Sequence, residues 1–293
     1  MISLFDSFNR PQEQKKMVSK RVNLNFIILS KIKKTYLNII KFKTNFNLIF
    51  LFSTILLIFY SCSNTDEKIS LTKVEGSPAY DNSSIEIKDI SNEGENFMFS
   101  FDINNYDLGA QTKKEFDYNL ANSELGQHIH FIVNNGPYSA HYVDNFETKL
   151  TADNSVILAF LSRSYHESVK NPNAYILTQI GDTNNVDLEN EFIFYSRPKG
   201  TYKGSDTEKL LLDFYLVNTD LGPEGNKVKI SIMQNEETHD FLVDEWTPFY
   251  IEGLDKGEVS ITLELLDNDG ELIETPFNPV SYTHLTLPTM LWV

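Results

Sequence analysis

Gly126-Gln127-His128-Ile129-His130-Phe131-Ile132-Val133 decides how the rest of the chain is read, because Gly225-Asn226-Lys227-Val228-Lys229-Ile230-Ser231-Ile232 repeats its pattern further along. In both stretches an apolar residue sits at every second position, the period of a strand with one face turned to a core. The likeness extends outward. Asn105-Tyr106-Asp107-Leu108-Gly109 matches Asn218-Thr219-Asp220-Leu221-Gly222, and Ser155-Val156-Ile157-Leu158 lines up with Glu258-Val259-Ser260-Ile261. Further strands are expected at Phe97 to Ile103, Ser155 to Leu161, Leu210 to Val217 and Val259 to Leu265. Turn signals lie between them at Asn135-Gly136, Asp153-Asn154, Asp255-Lys256-Gly257 and Asp267-Asn268-Asp269-Gly270. No long helical period occurs beyond residue 70. The expected fold is all-β: two tandem Ig-like antiparallel β-sandwiches, at 71–190 and 191–280, with a soft boundary between Asp182 and Glu191. The first copy carries an insertion at 110–125.

Ahead of this body the composition changes sign. Residues 1–62 hold ten Lys/Arg and two Asp/Glu, which leaves 15 basic and 39 acidic residues beyond Cys62, a net charge of −24. So acidic a body argues against nucleic acid as a partner. Lys41 and Lys43 precede an apolar run from Leu48 to Tyr60, long enough for a signal-peptide core and short for a membrane span. The run ends in Leu57-Ile58-Phe59-Tyr60-Ser61-Cys62-Ser63, which resembles the looser lipobox of Bacteroidota lipoproteins. Cys62 is the only cysteine in the chain. An intrachain disulfide and a thiolate metal cluster are thereby excluded, and Cys62 becomes the expected lipidation site. The polar residues 63–70 read as a flexible tether. The segment before Lys41 is too long for a signal's charged region, so translation is expected to start near Ile40, with 1–62 a miscalled start plus signal peptide. At the other end, Val280 to Thr289 looks like the translation of a transposase-end sequencing adapter. Residues 281–293 are therefore expected to carry no functional weight.

The repeat assigns faces to the histidines. Ile129, Phe131 and Val133 match Val228, Ile230 and Ile232, so His128 and His130 match Lys227 and Lys229 and should project together from the outer, solvent-facing side. A hairpin centred between Asn135 and Gly136 would set His141 opposite His130, close enough for two imidazoles to share a metal. His166 follows the strand expected to lie beside His128. His128, His130, His141 and His166 therefore form a candidate surface metal site suited to copper, zinc or nickel, with copper or zinc the expected cofactor. A structural or organic-ligand role for the imidazoles is the other reading. A second, weaker candidate is an anion site drawn from Arg163, Arg197, Lys199 and Lys203, whose bland reading is an interdomain connector with solvated charges. Asp267 to Glu271 lacks the spacing of a calcium loop and reads as a turn. No phosphate-cradling loop, nucleophile elbow or zinc-protease helix motif is present.

Gly126 to Val133, with Pro137-Tyr138, His141 and Tyr165-His166-Glu167, resembles a family of Bacteroidota-type envelope lipoproteins with tandem Ig-like domains and a His-x-His strand. Some of its members are labelled phosphopeptide-binding, and Arg163, Ser164 and His166 faintly resemble the Arg, Ser and His of forkhead-associated domains. The resemblance implies a lipid anchor in the bacterial envelope, at the outer membrane. The function expected from the whole sequence is a non-enzymatic binding module for a metal or small ligand. The alternatives are an adhesion or assembly subunit that binds protein or glycan, and a hydrolase with an unrecognised site.

Overall fold

The computed structural model describes residues 69–113, 120–150, 154–181 and 186–286, together with residues 31, 33–35 and 37, which are helical. Cys62 and the expected lipobox lie outside the described residues. Glu67–Val293 forms one compact unit, separate from Met1–Asp66. Among the described residues no helix is long and apolar enough to cross a membrane.

The body contains β1 (Ser70–Lys73), β2 (Ser84–Glu93), β3 (Asn96–Asn104), β4 (His128–Val133), β5 (Ser139–His141), β6 (Asn145–Lys149), β7 (Asn154–Ser162) and β8 (Tyr175–Gly181). They are followed by β9 (Phe192–Arg197), β10 (Leu210–Val217), β11 (Lys227–Gln234), β12 (Glu237–Val243), β13 (Phe249–Glu252), β14 (Glu258–Leu266) and β15 (Val280–Thr286). The first sandwich packs the sheet β2-β3-β6 on β5-β4-β7-β8. The second packs β1-β13-β10-β9 on β12-β11-β14-β15. All pairings between these strands are antiparallel. With β1 set aside, both halves have the same topology, so the chain is a tandem pair of Ig-like sandwiches. The repeated Asn105 and Asn218 both adopt left-handed backbone, at φ 54° and 57°, just past β3 and β10.

Each sandwich has its own core. Phe99, Phe101, Ile129, Phe131, Phe146, Ile157 and Leu161 fill the first; Ile193, Leu212, Phe214, Val228, Ile230, Ile261 and Leu263 fill the second. A third core lies between the sandwiches. Ile132, Val156, Leu158 and Phe160 leave the back of the β4–β7 pair and pack on Phe192, Phe194, Tyr215 and Val217 from β9 and β10. Consequently every residue of β9 and β10 is buried, and the two sandwiches share a face-to-face seam.

The domain ends depart from the expected spans. β1 pairs with β13 of the second sandwich, not with the first, to which the span 71–190 would assign it. The chain then crosses to the first sandwich, so its N-terminal segment ties the two halves together. A buried polar network adds to the tie. Asp213 of β10, fully buried, accepts from the Ser168 N–H and hydroxyl at 3.1 Å each and from Lys170 at 2.5 Å. Such a carboxylate is tolerable inside only because each of these donors replaces lost water.

Candidate functional site

The seam is where the histidines gather. His128, His130 and Ile132 share one face of β4, directly opposite Ser162, Phe160 and Leu158 of β7. This is the face turned away from Ile129 and Phe131, but it is not solvent-facing: the second sandwich covers it, and His128 and His130 are both 0% exposed. The expected surface cluster is therefore a buried one. In the second sandwich the matching Lys227 and Lys229 remain partly exposed, and Lys229 pairs with Glu264 at 2.9 Å.

His166 arrives from the turn after β7. Arg163 N–H bonds to the Glu167 carbonyl and His166 N–H to the Arg163 carbonyl, which makes a tight loop with His166 in the left-handed region at φ 69°. Glycine is the usual occupant of such a position. An imidazole there carries backbone strain of the kind that gathers at functional sites. The ligand-bearing nitrogens of His128, His130 and His166 all lie within 4.8 Å of one another.

His141 does not join them. β5 pairs with β4 so that His141 faces Ile129 and Ala140 faces His130, a register one residue away from the expected one. The turn closes between Val133 and Gly136, with Asn134 and Asn135 both left-handed, instead of centring on Asn135-Gly136. Pro137 has no N–H to offer the ladder, and pairing resumes only at Ser139. A one-residue slip sends a side chain to the opposite face. His141 accordingly points into the first core and stacks on Phe146 at 3.4 Å.

The hydrogen bonds set the chemistry of the three remaining rings. His128 Nδ1 lies 2.8 Å from the Gly126 carbonyl, which can only accept, so Nδ1 carries the proton. Burial holds the His128 pKa down at about 4, so the ring is neutral near pH 7 and Nε2 carries a lone pair. That nitrogen sits 3.1 Å from His166 Nδ1. Gly126 must be glycine for this arrangement, since its φ is 87° and a Cβ would collide with the backbone of Gly109 and Ala110. His130 is held between two serine hydroxyls, with Nδ1 3.2 Å from Ser196 and Nε2 3.3 Å from Ser162, and it stacks on Tyr138 at 3.6 Å. Burial also drives His130 and His166 well below the ordinary histidine range, and the positive charges of Arg197 and Lys199 push the same way.

Two imidazoles on one tetrahedral metal place their nitrogens roughly 3.3 Å apart, given metal–nitrogen bonds of about 2.0 Å. The His128–His166 pair already has nearly this spacing. The widest separation in the set is larger, so a metal shared by all three would draw the rings inward by about 1 Å. The Gly126 carbonyl behind His128 is the type of outer partner that orients a metal-ligating histidine.

The four cations expected at an anion site are not brought together. Arg163 is committed to Glu167 at 2.9 Å and to the Pro78 and Ser168 carbonyls, with both charged side chains 4% exposed, so it is a structural ion pair and not a ligand site. Lys203 is exposed beside the short 3-10 helix Gly204–Thr207. Arg197 and Lys199 do flank the histidines, at 5.6 and 4.1 Å from the centre of the Tyr138 ring. Among the described residues no carboxylate lies within ion-pair distance of either. Asp267 caps its own turn, accepting from the N–H groups of Asp269 and Glu271. Tyr138, Ser162 and Ser196 were not foreseen as parts of the site. The one available signal was the apolar character of both faces of β7 and β9, which marks strands covered on two sides.

No family model and no curated protein matches the chain. Among solved structures it is similar to fibronectin(III)-like modules of CbhA from Clostridium thermocellum, at 13% identity over 69% of this chain and 94% of that one, TM-score 0.24. It is also similar to the central fibronectin-III array of RIM-binding protein, at 11% identity over 74% and 73%, TM-score 0.23. A third is the FN1–FN3 segment of chicken CNTN1, at 7% identity over 73% and 70%, TM-score 0.21. At TM-scores this low the likeness carries no argument, and the fold rests on the strand pairing itself.

Proposed function

We propose that this protein is a non-enzymatic binding module, lipid-anchored through Cys62 at the bacterial outer membrane, which takes a transition metal at His128, His130 and His166. The observation that carries the metal reading is the lone pair of His128 Nε2, fixed by the Gly126 carbonyl and set 3.1 Å from His166 Nδ1. Neutral imidazoles suit copper or zinc. A hydrolytic role finds no support in the same geometry. Ser162 and Ser196 touch His130 but are 0% and 1% exposed, and among the described residues no carboxylate is bonded to that ring. The anchor reading rests on a lone cysteine that ends an apolar run. Its test is Cys62→Ala, which should move the protein from the membrane to the soluble fraction; retention in the membrane would remove the lipid anchor.

Zn²⁺ and Cu²⁺ titrated into the full chain in mild detergent should bind near one per chain. His128→Ala should weaken binding on the order of a hundredfold, as should His166→Gly. The second variant separates ligand from scaffold. Glycine relieves the left-handed backbone at residue 166, so the melting temperature should stay level or rise, by the equivalent of up to about 1 kcal/mol, while affinity falls. Undiminished affinity in His166→Gly would remove this cluster as the metal site.

A further inference from the structure

Behind Tyr138 lies a cavity of about 180 Å³. Asn135 to Tyr138 of the first sandwich form one wall and Tyr195, Ser196 and Lys199 of the second form another; Val280 lies along the remaining side with Ser281 and Tyr282, which belong to the tail expected to carry no functional weight. The groups suited to hold a ligand lie on the first two walls. His130 covers one face of the Tyr138 ring at 3.6 Å, which leaves the other face to Lys199, whose Nζ is 4.1 Å from the ring centre and donates to the Tyr138 carbonyl. An ammonium has three donors, so two remain. Next to it Arg197 is 7% exposed. Its Nη1 is taken by the Tyr202 hydroxyl and the Lys199 carbonyl, while Nε and Nη2 have no partner among the described residues. Elsewhere the protein compensates its buried cations: Arg163 has Glu167, and Lys170 has Asp213. Arg197 and Lys199 have no such carboxylate among the described residues, although the body carries a large excess of acid. Arg197 is buried and Lys199 half-buried, and a buried charge without a counter-charge is costly, so the pair is set for a counter-ion that comes from outside.

We propose that this cavity binds a small oxyanion, a carboxylate or a phosphate, with Lys199 as the cation that lines it, Arg197 adding charge from beside Lys199, and the Ser196 hydroxyl as a donor. The inference rests on the reading of the seam as a binding site and names a second ligand class for it. Ser196 joins the two ligands. If its hydroxyl donates to the anion, its oxygen must accept from His130 Nδ1–H, 3.2 Å away. That choice of tautomer leaves His130 Nε2 unprotonated, the state in which His128 Nε2 is already held. The anion also offsets the positive field on the three rings, so anion and metal should each tighten the other.

The test is thermal melting of the full-length protein in mild detergent with EDTA, at fixed ionic strength, with phosphate and acetate titrated separately against chloride. A saturable rise of a few degrees with one oxyanion is expected. It should be lost in Lys199→Gln and in Arg197→Gln and kept in Lys203→Gln. Lys199 is only part-buried, so its variant should fold even where the loss of the Arg197 bond to Tyr202 unfolds the other. The phosphate and acetate arms decide which oxyanion is preferred. A shift no larger than that from chloride, or one unchanged in Lys199→Gln, overturns the proposal. Metal binding without any oxyanion response would sink this inference alone. An oxyanion response lost in Lys199→Gln, in a protein that takes no metal, would sink the metal reading alone.

Discussion

Lowering the pH from 7 to 5 should cost the metal-free body several kcal/mol of stability, because its histidines are buried neutral. Burial, partly opposed by the Gly126 hydrogen bond, takes His128 from an ordinary 6.5 to about 4. Burial likewise lowers His130, reinforced by His128, His166, Arg197 and Lys199, and it lowers His166, reinforced by Arg197, His128 and Lys199. Between these folded-state values and 6.5 the unfolded chain binds protons that the folded chain refuses. Stability is therefore full above pH 6.5 and falls as the pH drops through that window. For His128 alone the loss at pH 5 is about 2 kcal/mol; His130 and His166 add to it with the same sign, as does His141, which burial also takes to about 4 and whose share is smaller because it is less buried. Glu167 works against them, since burial raises its pKa and the folded state takes up its proton early. Relief of repulsion among the surface carboxylates belongs mainly below pH 5, nearer their ordinary pKa values, and so leaves the upper window to the histidines. Urea titrations at pH 7 and 5 measure the difference. His130→Phe, which keeps a ring on Tyr138 and removes a proton acceptor, should recover part of it. A stability that stays flat from pH 7 to 5 would mean that the rings are not buried as described.

Much of this arrangement is legible in the sequence, and the unread part has physical causes. The alternation of Ile129, Phe131 and Val133, doubled by Val228, Ile230 and Ile232, is enough to lay out two sandwiches, because a strand with one wet face reveals its period directly. β11 and β14 behave so. β7 does not: Val156 to Leu161 is apolar at both parities, as are Leu210 to Leu212 and Phe214 to Val217. Such runs carry the message that both faces are covered, and through it that His128 and His130 lie in a seam. The hairpin register failed for a local reason. Moving the turn by one pair would shift the register by two and keep His141 on the histidine face; the odd residue that enters at Pro137-Tyr138, between the turn closed by Val133 and Gly136 and the ladder that resumes at Ser139, decides which way His141 points. The β1–β13 pairing had no signal at all, since Ser70 to Lys73 is too short and mixed to name its partner.

The seam makes a demand of its own, that the two sandwiches melt as one. Phe160 is fully buried between them, stacked on Tyr215 at 4.6 Å and edge-on to His130 at 5.1 Å. Phe160→Ala removes a whole ring from a close-packed place and should cost about 3–5 kcal/mol, or on the order of 10 °C in melting temperature for a body of this size. Were the sandwiches independent beads, the loss would fall on the first alone and calorimetry would show two transitions, one shifted and one unmoved. With β1 paired into the second sandwich, Asp213 bonded to Ser168 and Lys170, and the Phe160–Tyr215 contact at the centre, a single transition should move as a whole. The same variant opens space beside His130, so metal affinity should fall although no ligand has been touched. A split transition would show that the seam is a contact between folded domains. In that case the three histidines, all carried by the first sandwich, would be covered and not assembled by closing, and the Ser196 contact with His130 would be what closure makes.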